Sequence, residues 1–145
     1  MIAVCPIIGE VDVYASAGAA RSMAREMGFG PADAARIEIV VRELAFNIIR
    51  YAGRGEIRLS RVTSGNRTGL QVEAEDHGPG IADLELALQD GYSSGGKGLG
   101  AGLPAVRRLM DTFEIQTEVG KGTLVRAVRW LRRSTDWLHR WWHRD

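Results

Sequence analysis

The chain has 145 residues, 45% of them hydrophobic and 26% charged, with a formal net charge of +1. That is enough apolar material for one compact domain with a real core, and hardly enough for two. The near-neutral balance excludes nucleic-acid binding by bulk electrostatics, and no apolar run reaches the roughly 18 residues of a transmembrane segment. The N-terminus has no basic leader followed by a long apolar stretch, so no secretory signal is expected. The single cysteine, Cys5, cannot form an intramolecular disulfide and fits a reducing cytoplasm. No basic neighbour in sequence would lower its pKa for nucleophilic work.

In chain order, residues 2–8 are apolar and read as an edge strand. From about residue 12 to 27, Val13, Ala17, Ala20, Ala24 and Met27 recur at spacings of three and four, which predicts a helix with one apolar face. Gly28 and Gly30 end it, and Pro31 suits the first turn of a second helix. That helix runs to about Ala52, with Ile37, Val40, Val41, Leu44, Ile48 and Tyr51 as its apolar stripe and Gly53 as its stop. The period then changes to two. Ile57 and Leu59 alternate with charged residues, a Ser-Gly-Asn turn follows, and Leu70, Val72 and Ala74 alternate again, which predicts a β-hairpin. A glycine-rich stretch over residues 77–102 holds a short helical segment at about 83–89. A helix over 103–111 and two strands, 113–118 and 123–130, complete the chain around the turn Gly120-Lys121-Gly122. The predicted fold is an α/β sandwich of the α+β class: a mainly antiparallel, mixed sheet with helices on one face.

Four clusters carry candidate chemistry. Glu43 and Asn47, in RELAFN, lie one turn apart on the same side of the second helix. They read either as two solvated polar residues or as a functional pair, the glutamate taking a proton from a hydroxyl and the asparagine offering a neutral oxygen to Mg²⁺. In EDHGPGI, Asp76 leaves the sheet at a strand end and Gly78 and Gly80 let the backbone turn tightly. This is an ordinary Asp/Gly/Pro turn, or a carboxylate placed to accept from an adenine amino group. In GGKGLGAGL, closely spaced glycines run into a helix N-terminus, an arrangement suited to phosphate and equally to a plain flexible loop. Residues 91–97 fit the spacing of a P-loop, but Gly98 stands where that motif needs Ser or Thr. Gly122-Thr123 opens the last strand and, alone, is a hairpin turn.

Taken in this order, the clusters resemble the GHKL superfamily. Glu43 and Asn47 are similar to its N-box, Asp76-x-Gly78-x-Gly80 to its first glycine box, Gly98-x-Gly100-x-Gly102 to its second, and Gly122-Thr123 to its third. The stretches RELAFNIIRYAGRGEI, AEDHGPGI and GLGAGLPAVRRLMDTFEI resemble the RsbT-type switch kinases of bacterial stressosomes. The resemblance covers about residues 10–131. It implies a Bergerat ATP-binding fold over residues 1–131, with ATP and Mg²⁺ as cofactors. It also implies Glu43 as general base for a substrate Ser or Thr, Asn47 as Mg²⁺ ligand, and Asp76 on the adenine amino group with Thr123 in support. Gly78 and Gly80 would admit the base, and Gly98, Gly100 and Gly102 would shape a lid over the phosphates. The implied activity is a cytoplasmic protein serine/threonine kinase. Its implied partners are STAS-domain scaffold or antagonist proteins as substrates and, on release, a PP2C-type phosphatase that it activates. An anti-sigma factor that holds a sigma factor and phosphorylates an anti-anti-sigma partner is the alternative of the same fold.

Two features depart from that pattern. Lys97 lengthens the glycine run by about one residue, as a solvated lysine or as a contact to a β- or γ-phosphate. Residues 132–145 form a basic, tryptophan-rich tail. Trp130, Trp137, Trp141 and Trp142 are all four tryptophans of the chain, and residues 129–145 carry five Arg against two Asp. A helix packed back on the domain, a disordered end, a docking helix for an acidic partner and a membrane-surface contact are its open readings.

Overall fold

The structure, a computed structural model, describes residues 2–89 and 102–132. Strand β1 (Ile2–Ile7) leads into helices α1 (Glu10–Met27) and α2 (Pro31–Asn47), and α2 continues as a π-helical turn, Ile48–Ala52. Strands β2 (Gly55–Ser64) and β3 (Arg67–Asp76) follow, then the short α3 (Leu84–Ala87), α4 (Gly102–Leu109), β4 (Thr112–Glu118) and β5 (Gly122–Trp130). The sheet has five strands in the order β1-β2-β3-β5-β4, with β1 at an edge as its position in the sequence predicts. All four neighbouring pairs are antiparallel, so among the described residues the sheet contains no parallel pair.

Local chemistry sets the helix ends. Asp12, in the first turn of α1, accepts from the backbone N–H groups of Ile8 at 2.9 Å and Gly9 at 3.0 Å, two donors that have no partner within the helix. At the other end Phe29 N–H reaches Ala24 O at 3.0 Å and Gly28 N–H reaches Arg25 O at 3.1 Å, a Schellman closure. Pro31 opens α2 where its missing N–H costs nothing. The predicted helix over 31–52 is right in extent, but its last five residues widen, with Gly53 N–H bonding to Ile48 O at 2.9 Å, five residues back. Tyr51, the last residue of the predicted apolar stripe, lies on this widened turn and is not part of the core. Tyr51 is 44% exposed, while Ile37, Val40, Val41, Leu44 and Ile48 are buried.

The core lies between the helices and one face of the sheet. Ile57 and Leu59 of β2, Leu70, Val72 and Ala74 of β3, and Val125 and Ala127 of β5 are buried in one cluster with Val13, Ala17, Ala20 and Ala24 of α1 and the α2 stripe. The opposite face carries a charge ladder across three strands. Arg58 pairs with Glu56, Glu73 and Glu75, and Arg126 with Glu73. Cys5, on β1, is half-buried, and burial pushes its thiol upward, the opposite of what activates a thiolate.

At the end of the sheet nearest the α2 N-terminus, an inward-facing arginine closes the fold. Arg129 on β5 pairs with Asp33 of α2 at 2.8 Å and donates to Leu109 O at 3.2 Å, while Asp111 approaches it at 3.9 Å. Asp111 also accepts from Trp130 N–H at 2.7 Å, and its own N–H reaches Val128 O. The Trp130 ring covers Gly69 on the neighbouring strand and carries the Arg67 guanidinium 4.4 Å above its centroid. Arg132 lies 3.5 Å from Asp111. The predicted tail readings for residues 133–145 lie outside the described residues.

Candidate functional site

A cavity of about 340 Å³ opens at the other end of the sheet, between the π turn, the loop after β3, the start of α4 and the start of β5. Two polar side chains face each other on one wall. Asp76, the last residue of β3, is in register with Thr123 on β5, so the two project to the same side. Asp76 Oδ1 accepts from Gly78 N–H at 2.9 Å, and Oδ2 has no partner among the described residues. Leu44, Ile48, Ala74, Ile81, Leu103 and Val125 supply apolar wall. The arrangement suits a flat apolar ring whose edge carries a hydrogen-bond donor for Asp76.

The glycines at this site serve the chain's own packing. A Cβ on Gly78 would come within 2.8 Å of Ala52 Cα, so the loop after β3 lies directly on the π turn. Gly80 has φ +76°, and a Cβ there would collide with the Glu118 carbonyl; Gly122 has φ +124°, and its Cβ would collide with the Asp76 carbonyl. The loop is also tied to the β4–β5 turn by Gly120 N–H to Pro79 O at 2.9 Å.

Glu43 and Asn47 share a helix face but meet different surroundings. Asn47 lines the cavity. Glu43, one turn earlier, is only 8% exposed and sits by the start of α4. The reading of Glu43 as a solvated surface residue is therefore incorrect. Burial raises its carboxyl above the ordinary glutamate value of 4.5, opposed by a hydrogen bond from the Gly102 backbone and by the charges of Arg50 and Arg42. Gly102 opens α4 and lines the cavity. Gly98, Gly100 and Lys97 lie outside the described residues.

Among the described residues no three His, Cys, Asp or Glu side chains gather to hold a metal. A Mg²⁺ ion here would draw on the amide oxygen of Asn47, on water and on the phosphates of a bound nucleotide, the oxygen donors this hard cation takes. Arg50 and Tyr51 also line the cavity. They follow Asn47 by three and four residues, the spacing of one helix face, and motif reading passes over Arg50. Thr117 is a further residue that motif reading passes over. Its hydroxyl lies 2.9 Å from the Thr123 hydroxyl and accepts from Ile81 N–H at 2.8 Å. The alternation Phe113, Ile115, Thr117 along β4 is the signal that places it on the inner face.

The chain as a whole is similar to known proteins. Residues 11–129 match the family model of the histidine kinase-like ATPase domain. The chain is 47% identical over 126 residues to the serine/threonine-protein kinase RsbT of Bacillus subtilis, covering 87% of this chain and 94% of that one. It is 31% identical over 102 residues to the anti-sigma F factor of a Thermoanaerobacter species, covering 67% and 70%. Among solved structures, one from the SiaB–SiaC complex of Pseudomonas aeruginosa superimposes with a TM-score of 0.52 at 13% identity, over 90% of this chain and 89% of that one. Full-length ShkA in complex with AMPPNP gives 0.52 at 23% identity, over 81% of this chain and 28% of its own. At these identities the two structures speak for the fold alone.

Proposed function

The chain belongs to the histidine kinase-like ATPase domain family and is a protein serine/threonine kinase of the RsbT type, and from that premise we propose its substrates, its partners and the work of each residue. The substrates are STAS-domain proteins of a stressosome-type complex in the cytoplasm. The product state releases the kinase to bind and activate a PP2C-type phosphatase. Asp76 takes the adenine amino group, with Thr123 beside it. Asn47 would hold Mg²⁺, which would supply positive charge to neutralise the phosphates. Gly98, Gly100 and Gly102 shape the backbone over them.

Phosphoryl transfer leaves little covalent work to a protein: it positions the groups, neutralises charge and removes one proton. Glu43 is the proton acceptor. When the acceptor Ser or Thr oxygen attacks the γ-phosphorus, its proton passes to the Glu43 carboxylate as the bond to the bridging oxygen breaks and ADP departs. A carboxylate whose affinity for protons is raised by burial is a stronger base than one in water, which suits this step. The observation that carries the proposal is the divided placement of the α2 pair. Asn47 faces the cavity whose far wall holds Asp76 and Thr123, and Glu43 is buried one turn away with an elevated carboxyl.

The anti-sigma reading keeps the same pocket and chemistry and is favoured by the 31% identity to an anti-sigma F factor. One experiment addresses both. Purified protein is mixed with Mg²⁺, ATP radiolabelled at the γ-phosphate, and a STAS-domain protein encoded beside it. Label on Ser or Thr is expected, falling by about a hundredfold or more in Glu43→Ala while ATP affinity is retained. Transfer unchanged in Glu43→Ala would remove the glutamate from its role. Capture of a sigma factor by the same protein would favour the alternative.

A further inference from the structure

We propose that Thr117, which does not line the cavity, is a positioning residue that fixes the direction of the Thr123 hydroxyl and thereby sets the preference for a 6-amino over a 6-oxo purine. The inference rests on the proposed placement of the base against Asp76 and Thr123, and goes beyond it by assigning base selectivity to a residue behind the wall.

A threonine hydroxyl has one proton to donate and two lone pairs. Thr117 Oγ1 spends one lone pair on Ile81 N–H at 2.8 Å. Its proton has two possible acceptors, the Gly122 carbonyl at 3.2 Å and Thr123 Oγ1 at 2.9 Å. If the proton goes to Thr123, no hydroxyl of this pair donates to Gly122 O. If it goes to Gly122, Thr123 donates into the remaining lone pair of Thr117, and the hydroxyl is saturated on all three sites. The second arrangement satisfies every group, and in a half-buried cluster that is the arrangement to expect.

The consequence falls on the ligand. With its proton committed to Thr117, Thr123 presents only lone pairs to the cavity, beside the open Oδ2 of Asp76. Two acceptors side by side welcome an exocyclic amino group, which has two hydrogens, and repel a carbonyl oxygen. Adenine carries the amino group at that edge; hypoxanthine and guanine carry the oxygen. Thr117 holds this polarity from outside the cavity, and the same hydroxyl anchors the loop that follows Asp76 through Ile81.

The test compares ATP with ITP, which differ in that substituent and in the protonation of the adjacent ring nitrogen, by calorimetric titration of the full chain. Thr117→Val keeps the side-chain shape and frees the Thr123 proton to turn toward the ligand. The ATP-over-ITP affinity ratio is expected to fall about tenfold, the size of one reversed hydrogen bond, with ITP losing less than ATP. Thr117→Ser restores the ratio, which a merely structural role would not require. Equal loss of both nucleotides in Thr117→Val, or an unchanged ratio, overturns the proposal. Thr123→Val provides an arm that does not depend on folding of the Thr117 variant: it must lower the ratio to a similar level, and a full wild-type ratio there also overturns it. Asp76→Asn separates this proposal from the reading beneath it. If Asp76→Asn leaves the ratio at its wild-type value, the base does not lie against Asp76, and the placement itself fails.

Discussion

The two ends of the sheet solve the same problem in opposite ways. At the Arg129 end, charged groups of α2, β5 and the α4–β4 junction pair with one another and with backbone, over direct contacts as short as 2.7 Å. At the Asp76 end, the chain leaves regular geometry: the helix widens to a π turn, glycines adopt positive φ, and a carboxylate oxygen points into open space. Irregular backbone weakens a fold, so its concentration at the Asp76 end marks where binding energy is to be supplied from outside. The strain of the other end is confined to Arg129 Nε, buried there without a hydrogen-bond partner among the described residues. The closed end holds the scaffold on which the open end rests.

The sharpest way to break this comparison is to substitute at both ends and ask whether affinity and stability respond separately. Asp76→Asn should cost about a hundredfold in ATP affinity, the scale of a lost charged hydrogen bond, with little change in melting temperature. Arg129→Ala should do the reverse. It removes the most buried cation of the network and leaves Asp33 with Arg36 alone and Asp111 with Arg132 alone, a loss of about 1–3 kcal/mol by urea titration. ATP affinity at a temperature where the variant is folded should stay near wild type. A large affinity loss in Arg129→Ala would mean that the two ends are coupled.

Gly80→Ala tests the junction between the regions' rules. Positive φ and the collision with the Glu118 carbonyl should together cost about 2–3 kcal/mol, read as a fall in melting temperature. If Gly80 served only to admit a ligand, stability would hold and affinity alone would fall.

A gentler effect concerns Glu43. Its carboxyl titrates above the ordinary value of 4.5 in the folded chain, so the folded state holds this proton more tightly than the unfolded state. The resulting stability is fully present below that ordinary value and is lost as pH rises through the folded value. Glu43→Gln should therefore gain stability relative to wild type as pH increases across this window. A melting-temperature difference that is flat in pH would show that burial does not perturb the group.

Much of this fold can be read from alternation and helical spacing because those patterns are local. Ile57, Leu59, Leu70, Val72 and Ala74 announce the hairpin, and Val13, Ala17, Ala20 and Ala24 the inner face of α1. Asp76, with glycines two and four places on, is conspicuous as a strand-ending turn for the same reason. What escaped depends on residues brought together from far apart. Asp33 and Arg129 pair across 96 positions, and Ile81 and Thr117 across 36, spacings to which no periodicity is sensitive. Tyr51, read with the apolar stripe, stands 44% exposed on the wide turn, beside a cavity that Leu44 and Ile48 also line. The burial of Glu43 follows from α4 lying over α2, a packing choice that a helical wheel of α2 alone leaves open.

The register of β3 against β5 has a consequence for how the molecule forms. The hairpins β2–β3 and β4–β5 join neighbours in the chain and close short loops, whereas Glu73 meets Arg126 across 53 positions. Zipping those two strands together costs more loop-closure entropy than either hairpin, as does pairing β1 with β2, and distant pairings of this kind tend to slow folding. Asp76 and Thr123 sit on that seam, one on each strand. Competence to bind nucleotide should therefore return only with the slowest refolding phase seen by stopped-flow mixing with a fluorescent ATP analogue, after most helical signal has recovered. Recovery of binding within the earliest phase would place the seam first. The ligand, by spanning both strands, acts as a clasp on one of the two distant joints of the sheet.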